Sequence, residues 1–307
     1  MGHLFRAINL HSLLQGKGYE SAIALLGGDV ASQDWLEKAA VTYASVKNIK
    51  DAEWEASLIA RVRPKVWIND RLNTDVEHMG RIKRAGLRLA TFDDAGSGAT
   101  LADLHVAALA NVRSELPAGK KALIGVEYLI FPPEVSQLRR LRTKKKRWIV
   151  TLGGSDTHGA TISVVEWLNA RAIPATIVLG PAFAHASALS SLDSENLIIK
   201  RGVPSLLKEL ADHDLAITGG GLTAFEAAVL GVPTAIVANE PWEVEHAKYL
   251  QSLGCSVFAG MHDQITLDVL DKVMDFESMS NAALNSFMPD GAIRVVESLR
   301  NLLETKD

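Results

Sequence analysis

The stretch DLAITGGGLTAFEAAVLGVPTAIV, residues 214–237, decides the fold. Residues 215–217 are apolar and predict a short buried strand, three glycines at 219–221 interrupt it, and residues 223–230 are typical of a helix. Gly231 and Pro233 end that helix before a second strand at 234–237. The order of strand, glycine turn, helix and strand predicts a parallel α/β unit.

The glycine turn is chemically suited to an anionic ligand. Glycines let a backbone approach a ligand closely, and the first N–H groups of a helix have no partner within it. A glutamate about one turn into the helix reaches a pair of ribose hydroxyls, or alternatively only compensates the helix dipole. The residues predicted to bind a nucleotide here are Gly219, Gly220, Gly221, Leu222, Thr223 and Glu226.

A second turn of the same kind strengthens this prediction. Residues 148–152 predict a strand, Gly153, Gly154 and Ser155 follow it, and residues 161–170 have a helical pattern. Glycine turns at the carboxyl ends of two parallel strands meet at one crevice, where open α/β sheets bind their ligands. Further strand-like runs alternate with helices, so we expect a parallel sheet covered on both faces; these runs are 175–179, 197–200, 234–237 and 256–258.

Composition narrows the class of protein. The 307 residues are 48% hydrophobic, enough for two domains with ordinary cores, and a net charge of −4 gives no general attraction to nucleic acid or to an acidic membrane. The single cysteine, Cys255, excludes an internal disulfide framework and suits a reducing compartment. We expect a cytoplasmic α/β protein with neither a membrane span nor a signal peptide.

The first part of the chain follows the same alternation of elements. The predicted helices are 4–17, 35–44, 51–62 and 77–85, and the predicted strands are 21–26, 65–68 and 87–92. An α/β domain ordinarily has a strand before its first helix. The sequence shows none, so we expect either a chain that lacks this strand or an unusual sheet edge.

These elements group into two domains. We predict a first domain at 1–135, a basic linker at 136–147, a second domain at 148–290 and a final helix at 291–307. In that helix Ile293, Val296, Leu299 and Leu303 are expected on one apolar face. The basic run in the linker is typical of a solvated face, and binding of nucleic acid is not expected because no aromatic platform accompanies the run.

Several segments together resemble a known family. The pair GGSD (153–156) and GGGLTAFEAAVLGVPTAIV (219–237) is similar to the carboxyl-terminal domain of GT-B nucleotide-sugar enzymes. That group includes the lipid II glycosyltransferase and the UDP-sugar hydrolase of pseudaminic acid synthesis. The segments GHLFR (2–6), INDRLNTD (68–75), TFDD (91–94) and GVEYLIFPPEV (125–135) resemble that hydrolase and related spore-coat polysaccharide proteins.

The resemblance implies a fold and a set of site residues. It implies two Rossmann-like domains facing across a cleft, with the final helix crossing back to the first domain. Arg201, Gly202 and Val203 would read the uracil. His3 would be the catalytic base, with Asp94 and Tyr128 as further catalytic candidates. The residues expected on the sugar side are Gly2, Asn69, Asp70, Asp93, Glu245 and His246.

Three of these assignments keep alternatives. Asp93 and Asp94 follow a strand and precede glycines, so their carboxylates are suited to acid–base chemistry, to metal binding or to a capping role. Tyr128 is alternatively a buried tyrosine at the hinge between the domains. The segment NEPWEVEH (239–246) departs from the Glu/Asn-Gln pair found in related enzymes, which leaves the sugar contact by Glu245 and His246 open.

The implied function is hydrolysis of a UDP-sugar to a free sugar and UDP, in surface polysaccharide or nonulosonic acid synthesis. A glycosyltransferase with the same donor and a nucleotide-sugar-binding protein without catalysis are the alternatives. No metal and no other cofactor is implied, and the partner is a UDP-sugar rather than nucleic acid. Peripheral association with a membrane or a polysaccharide pathway is left open, and so is the oligomeric state.

Overall fold

Short apolar runs form twelve strands in the part of the chain that the structure describes. The structure is a computed structural model that describes residues 2–28, 30–48, 53–109, 119–144, 146–192, 194–270 and 275–304. The strands are β1 (Ile23–Leu26), β2 (Tyr43–Val46), β3 (Val66–Asn69), β4 (Arg88–Phe92), β5 (Leu104–Ala107), β6 (Ala122–Ile124), β7 (Trp148–Thr151), β8 (Ala175–Leu179), β9 (Leu197–Arg201), β10 (Leu215–Thr218), β11 (Thr234–Ala238) and β12 (Ser256–Met261).

Helices separate most of these strands. The α-helices are α1 (Gly2–Gly16), α2 (Val30–Lys38), α3 (Glu53–Val62), α4 (Val76–Arg84), α5 (Val135–Leu138), α6 (Ala160–Ala170), α7 (Ala186–Ser190), α8 (Leu206–Ala211), α9 (Leu222–Val229), α10 (Pro241–Ser252), α11 (Phe276–Ser286) and α12 (Gly291–Glu304). Within the described residues, no helix combines the length and the apolar character needed to cross a bilayer.

The chain divides into two compact units. Unit 1 comprises Met1–Pro133 and Asp290–Asp307, and unit 2 comprises Glu134–Pro289. The final helix, α12, therefore belongs to unit 1, and the basic run at 139–147 belongs to unit 2.

Unit 2 is built on one parallel sheet of six strands in the order β12-β11-β10-β7-β8-β9. Every residue of β7, β8, β10 and β11 is buried, because helices cover both faces of a parallel sheet. The chain runs outward from β7 to β9, then returns to the other side of β7 and runs outward from β10 to β12. The order of strands therefore reverses between β7 and β10.

Unit 1 contains two separate parallel sheets among its described residues. One has the order β3-β4-β5-β6 and the other consists of β1 and β2. The described residues begin with α1 at Gly2. The core of the larger sheet includes Phe92 and Val106, and Leu10 of α1 and Val295 of α12 pack on it.

Two predictions about the helices of unit 1 are wrong. In α12 the buried stripe is Ala292, Val295, Val296 and Leu299, while Ile293 and Leu303 are 42% and 40% exposed. The stripe keeps the i, i+3, i+4, i+7 spacing but is turned from the predicted one. The helix predicted at 35–44 ends at Lys38, because Ala40 takes a left-handed conformation with φ 53° and β2 begins at Tyr43.

One residue of the basic run does not lie on a solvated face. The Arg142 side chain is fully buried. Its guanidinium donates hydrogen bonds to the carbonyl oxygens of Leu230, Ala211 (2.9 Å), Arg140 (2.5 Å) and His213 (3.4 Å). Ala211 ends α8 and Leu230 follows the last residue of α9. Arg142 thus satisfies carbonyl groups at the carboxyl ends of two helices.

Candidate functional site

The two glycine turns predicted from the sequence lie next to each other in unit 2. One follows β7 and the other follows β10, and these two strands are hydrogen-bonded neighbours. They also flank the point where the strand order reverses, and the loops at such a point diverge to leave a crevice at the carboxyl edge of the sheet. The structure therefore brings both predicted glycine turns to the place where an open α/β sheet binds its ligand.

The turn after β7 has open space above its backbone. A Cβ atom added at Gly153 or at Gly154 meets no atom within 4 Å, and Gly153 has φ 94°. A backbone hydrogen bond holds the turn in place: the N–H of Ala182 donates to the Gly154 carbonyl oxygen at 2.9 Å. Asp156 accepts hydrogen bonds from the N–H groups of Ala160 and Thr161, both at 2.9 Å, and so caps α6.

Ser155 is exposed at the end of this turn, and its hydroxyl lies 3.1 Å from that of Thr157. Because Asp156 already uses the first free N–H groups of α6, that helix does not offer them to a ligand. The exposed groups of this turn are therefore the backbone of residues 153–155 and the Ser155 hydroxyl.

The turn after β10 is crowded on one side. A Cβ atom added at Gly220 would lie 2.6 Å from Cβ and from the carbonyl oxygen of Glu243, so only glycine fits there. His246 Nδ1 lies 2.8 Å from the Gly220 carbonyl oxygen and donates to it. The α10 helix thereby fixes the shape of the turn. Gly221 then forms the N-terminal cap of α9, followed by Leu222 and Thr223 in the first turn.

Glu243 is a buried carboxyl group beside this turn that the sequence reasoning missed. Its Oε2 accepts a hydrogen bond from the Asn239 N–H at 2.7 Å. Burial raises the pKa of Glu243. Hydrogen bonds from the backbone N–H groups of Asn239, Gly220 and Glu240 oppose this rise but do not cancel it. A sequence signal existed: Pro241 opens α10, which puts Glu243 at the third helical position, where a glutamate reaches back to the helix start.

Glu226 has the environment expected of a protein carboxylate that binds the hydroxyl groups of a ligand. Its side chain is half-buried on α9, and the described residues provide it with neither a hydrogen bond nor an ion pair. Burial raises its pKa to about 7. A buried carboxylate without partners is unfavourable, so hydroxyl donors from a ligand would stabilise its ionised form.

Two buried oxygen atoms at the same edge also lack partners among the described residues. They are Oγ1 of Thr218, the last residue of β10, and Oδ1 of Asn239, which follows β11. The amide nitrogen of Asn239 donates to the Leu152 carbonyl at 3.1 Å. Buried polar atoms without partners are rare and indicate a water or a ligand at the site.

The predicted sugar contacts on α10 do not agree with the structure. Glu245 is exposed, whereas Glu243, two residues earlier, is the residue beside the glycine turn. His246 is buried, and its Nδ1 is used by the Gly220 carbonyl. Its ring also packs edge-on against Phe225 and Trp242. His246 therefore positions the turn rather than contacting a sugar.

The third predicted segment of the nucleotide site lies at the end of β9. Arg201 and Gly202 are exposed and Val203 is half-buried. Gly202 has φ 63° and open space above its Cα. These positions remain predictions for recognition of a base.

In unit 1, His3 is paired with a carboxylate. Its Nδ1 lies 2.5 Å from Oδ1 of Asp70, a distance that requires a proton between the two atoms, so Nδ1 carries it and donates. The His3 side chain is 43% exposed, which leaves Nε2 as the accessible acceptor. An imidazole whose tautomer is fixed by a carboxylate in this way is suited to act as a general base.

A buried arginine, Arg6, completes this group. Its guanidinium donates to both oxygens of Asp70, at 2.5 and 2.8 Å, and to Asp93. Burial acts to raise the pKa of Asp70, but the hydrogen bonds from Arg6 and His3 outweigh it and lower that pKa. Asp70 therefore stays ionised and keeps His3 in place. Local sequence patterns do not indicate this role of Arg6, because its partners lie 64 and 87 residues away.

Two predicted carboxylates of unit 1 are engaged in structural contacts. Asp94 is fully buried, and its oxygens accept from the Thr74 N–H and hydroxyl, the Thr91 hydroxyl and the Gly96 N–H. Four hydrogen bonds saturate a carboxylate, so Asp94 holds its loop and is not available as a catalytic group. Asp93 is likewise buried against Arg6.

Asn69 is the last residue of β3. Its amide is buried and contacts Trp67 (3.2 Å), His78 (3.0 Å) and Met79 (3.0 Å), so it is not a sugar contact. Gly2 is the first residue of α1 rather than part of a turn. Tyr128 is half-buried and packs on the core of unit 1.

The described residues contain no group of three or more His, Cys, Asp or Glu side chains that is arranged to hold a metal ion. Asp93 and Asp94 suggested a metal site in the sequence. In the structure Asp93 pairs with Arg6, and Asp94 accepts a hydrogen bond from Thr74.

Comparison with proteins of known structure gives matches over nearly the whole chain. MurG of Acinetobacter baumannii superposes with a TM-score of 0.65 at 15% identity, covering 98% of this chain and 96% of MurG. The spinosyn rhamnosyltransferase SpnG gives a TM-score of 0.67 at 19% identity, covering 99% and 97% of the two chains. A complex of SpnG with thymidine diphosphate gives the same TM-score, with 97% of each chain covered.

The fold is the GT-B fold. Identities of this size show the fold alone, and they confirm the fold class that the resemblance implied. In sequence, the chain is 28% identical over 276 residues to an uncharacterised protein of Methanocaldococcus jannaschii. That match covers 82% of this chain and 56% of the relative, so the chain spans about half the length of the curated protein that it matches. No protein-family profile matches the chain.

Proposed function

We propose that this protein is a glycosyltransferase that transfers the sugar of a nucleoside diphosphate sugar to an acceptor hydroxyl. The resemblance of its sequence to UDP-sugar enzymes indicates that the nucleotide is UDP. The observation that carries the proposal is the unpartnered Glu226 carboxylate beside the glycine turn at 219–221, at the point where the strand order of unit 2 reverses. A GT-B glycosyltransferase with a bound nucleoside diphosphate has a similar fold, which supports this choice.

Unit 2 would bind the nucleotide. We assign the diphosphate to the backbone N–H groups of Gly221, Leu222 and Thr223, where the positive end of the α9 dipole stabilises negative charge. Glu226 would accept hydrogen bonds from the two ribose hydroxyls. The turn at 153–155 would contact the phosphates, and residues 201–203 would recognise the uracil.

Unit 1 would supply proton transfer. His3 Nε2 takes the proton of the acceptor hydroxyl while that oxygen forms a bond to the anomeric carbon. The anomeric C–O bond to the diphosphate breaks, and its electron pair leaves with the nucleotide. Asp70 and Arg6 hold the imidazole so that Nε2, and not Nδ1, is the accepting atom. The helix N–H groups stabilise the charge that develops on the leaving diphosphate.

A second candidate is hydrolysis, in which water takes the place of the acceptor hydroxyl. The segments GHLFR and INDRLNTD favour it, since they resemble a UDP-sugar hydrolase and supply His3, Arg6 and Asp70. Incubation of the protein with UDP-sugars, with and without sugar or lipid acceptors, separates the two reactions. A product that forms only with an acceptor supports transfer, release of free sugar without one supports hydrolysis, and intact UDP-sugar in both cases contradicts an enzyme of either kind.

The affinity for a UDP-sugar is expected to rise about tenfold between about pH 6 and about pH 8. With a pKa of about 7, Glu226 is mostly protonated at the lower pH and must lose its proton before it can accept two hydroxyl bonds. A UDP-sugar is the right ligand for calorimetry, because the terminal phosphate of free UDP titrates in the same range.

Two variants provide the controls for this experiment. Glu226→Gln keeps the shape of the side chain but has no charge to titrate, so the dependence on pH should disappear. Glu226→Ala should weaken binding about tenfold or more at the higher pH, since hydrogen bonds to a charged group contribute about 1.5–3 kcal/mol each. Unchanged affinity in a folded Glu226→Ala protein would contradict the assignment of the ribose to this residue.

Turnover is expected to survive chelation by EDTA. The proposed site uses helix N–H groups for the diphosphate, and the described residues present no cluster with the arrangement of metal ligands. Rates measured before and after treatment with EDTA test this. Loss of activity that magnesium or manganese restores would show that a metal ion takes part, and would contradict the assignment of the diphosphate charge to the backbone alone.

A further inference from the structure

A basic groove lies in unit 2 apart from the proposed nucleotide site. It is lined by Arg140, Leu141, Thr143, Lys144, Lys146, Arg147 and Asp214. Arg147 directly precedes β7 and Asp214 directly precedes β10. The groove therefore lies at the amino edge of the parallel sheet, whereas the glycine turns lie at the carboxyl edge of the same two strands. A ligand in this groove does not compete with the nucleotide.

The positive charge of the groove is not neutralised. Asp214 is its sole carboxylate, and Oδ1 of Asp214 lies 3.6 Å from both Arg140 and Arg147. The other oxygen accepts the backbone N–H groups of Lys146 and Arg147 at 3.2 Å. The exposed ammonium groups of Lys144 and Lys146 form no ion pair within the described part of the chain.

The rest of the protein has the opposite charge. The nine residues at 139–147 contain seven of the 32 basic residues and none of the 36 acidic ones. Outside this run, acidic residues therefore outnumber basic ones by eleven, although the whole chain carries only −4. Such a separation of charge orients a protein toward an anionic surface, because the rest of the molecule is repelled while the groove is attracted.

The chemistry of the lining distinguishes between anionic partners. No aromatic side chain lines the groove, so nucleic-acid bases have no surface on which to stack. The apolar Leu141 lines the groove together with Arg140 and Lys144 and is 38% exposed. Basic residues around an exposed leucine suit the interface of a bilayer, where ammonium groups meet lipid phosphates and an apolar side chain enters the acyl boundary.

We propose that the basic groove binds the phosphate headgroups of an anionic lipid bilayer and holds the amino edge of the unit 2 sheet against it. This binding is independent of catalysis and does not rest on the proposed function. It leaves the carboxyl edge of the sheet, with its glycine turns, directed away from the headgroups and open to nucleotide from solution.

The experiment is co-sedimentation of the full chain with vesicles at low salt. The protein should sediment with vesicles that contain phosphatidylglycerol, and not with pure phosphatidylcholine. The double variant Lys144→Glu/Lys146→Glu should reduce partitioning by at least tenfold, since each basic residue near an anionic surface contributes about fivefold in affinity. Leu141→Ser should weaken binding further at a salt concentration where the charges are screened.

A matched control changes the net charge by the same amount elsewhere on unit 2. Lys208→Glu/Lys248→Glu replaces two exposed lysines outside the groove and should retain most of the binding. Thermal unfolding of each variant with and without UDP verifies the fold and the nucleotide site.

Three outcomes would overturn the proposal. They are equal loss of binding in both double variants, equal sedimentation with neutral vesicles, and displacement of the protein from vesicles by millimolar inorganic phosphate, which would indicate a discrete anion pocket. Binding of a single-stranded RNA through Lys144 and Lys146, without binding to vesicles, would also overturn it in favour of a nucleic-acid partner.

Discussion

Replacing Arg142 with methionine is expected to lower the free energy of unfolding of unit 2 by about 3–5 kcal/mol. Methionine fills much of the same volume but donates no hydrogen bonds. Four carbonyl oxygens would lose their donor in a fully buried place, namely those of Arg140, Ala211, His213 and Leu230. Leaving a buried polar atom without a partner costs about 1–3 kcal/mol for each group, and some of these oxygens will find other donors.

The burial of the Arg142 charge acts in the opposite direction, and the hydrogen bonds to the four carbonyl oxygens must outweigh it. Burial and the neighbouring charge of Arg140 lower the pKa of Arg142 to about 9, so the guanidinium is charged at neutral pH. It is stabilised by the carbonyl dipoles at the ends of α8 and α9, which point their negative ends at it. Arg142→Lys should lie between the wild type and Arg142→Met, because one ammonium group cannot reach all four oxygens.

Urea denaturation measures the change, with Arg140→Met as the matched control. The Arg140 side chain is half-exposed and donates to a single carbonyl, that of Ala211 at 3.2 Å, so its loss should cost about 1 kcal/mol or less. If Arg142→Met unfolded at the same urea concentration as Arg140→Met, the carbonyl contacts of Arg142 would not be what stabilises these helix ends.

His3→Ala is expected to reduce turnover by about a hundredfold or more and to leave UDP affinity unchanged. Loss of a general base typically lowers the rate by about 10²–10⁴. The nucleotide is assigned to groups of unit 2, whereas His3 belongs to unit 1. Single-turnover rates and calorimetry with UDP measure the two quantities separately.

Two further variants make this test specific to the His3–Asp70 pair. Asp70→Asn should also lower turnover while leaving UDP binding intact, because the amide no longer fixes the proton on Nδ1 of His3. His11 lies on the same helix and is hydrogen-bonded to Ser21 at 2.8 Å, so His11→Gln should affect stability more than turnover. Full activity of His3→Ala would place the base elsewhere in the protein.

The parts of the site that could be predicted from the sequence are those defined by local chemistry. Strands β8, β10 and β11 are short apolar runs bounded by glycine or proline, and they lie within one residue of their predicted positions. The glycine turns follow from the same pattern. Their neighbouring positions in space follow from the rules of parallel α/β sheets, which do not depend on knowing each contact.

Which side chain of a helix lies near a glycine turn could be predicted only where the start of that helix could be read from the sequence. Glu226 lies on a helix whose start is marked by three glycines, so its distance from the turn could be counted. Glu245 was assigned from the resemblance, which does not define the start of α10, whereas counting from Pro241 indicates Glu243. Asp94 was chosen because it follows a strand, but its four hydrogen bonds depend on Thr74 and Thr91, which no local pattern connects to it.

The two arginines could not be predicted, for a physical reason. Arg6 and Arg142 bind partners that are 64 to 88 residues away in sequence, and both occur in segments that otherwise indicate a solvent-exposed surface. A buried arginine is specified by the acceptors around it, and those acceptors are assembled only when the chain folds.

The open space above Gly154 has a practical consequence for labelling the protein. The chain has one cysteine, Cys255, which is buried and whose thiol has a pKa raised by burial to about 12, so it reacts poorly with alkylating dyes. A cysteine introduced by Gly154→Cys would stand exposed in the turn after β7, where an added Cβ meets no neighbour. A fluorophore attached there would report directly on whatever molecule enters the crevice between the two glycine turns.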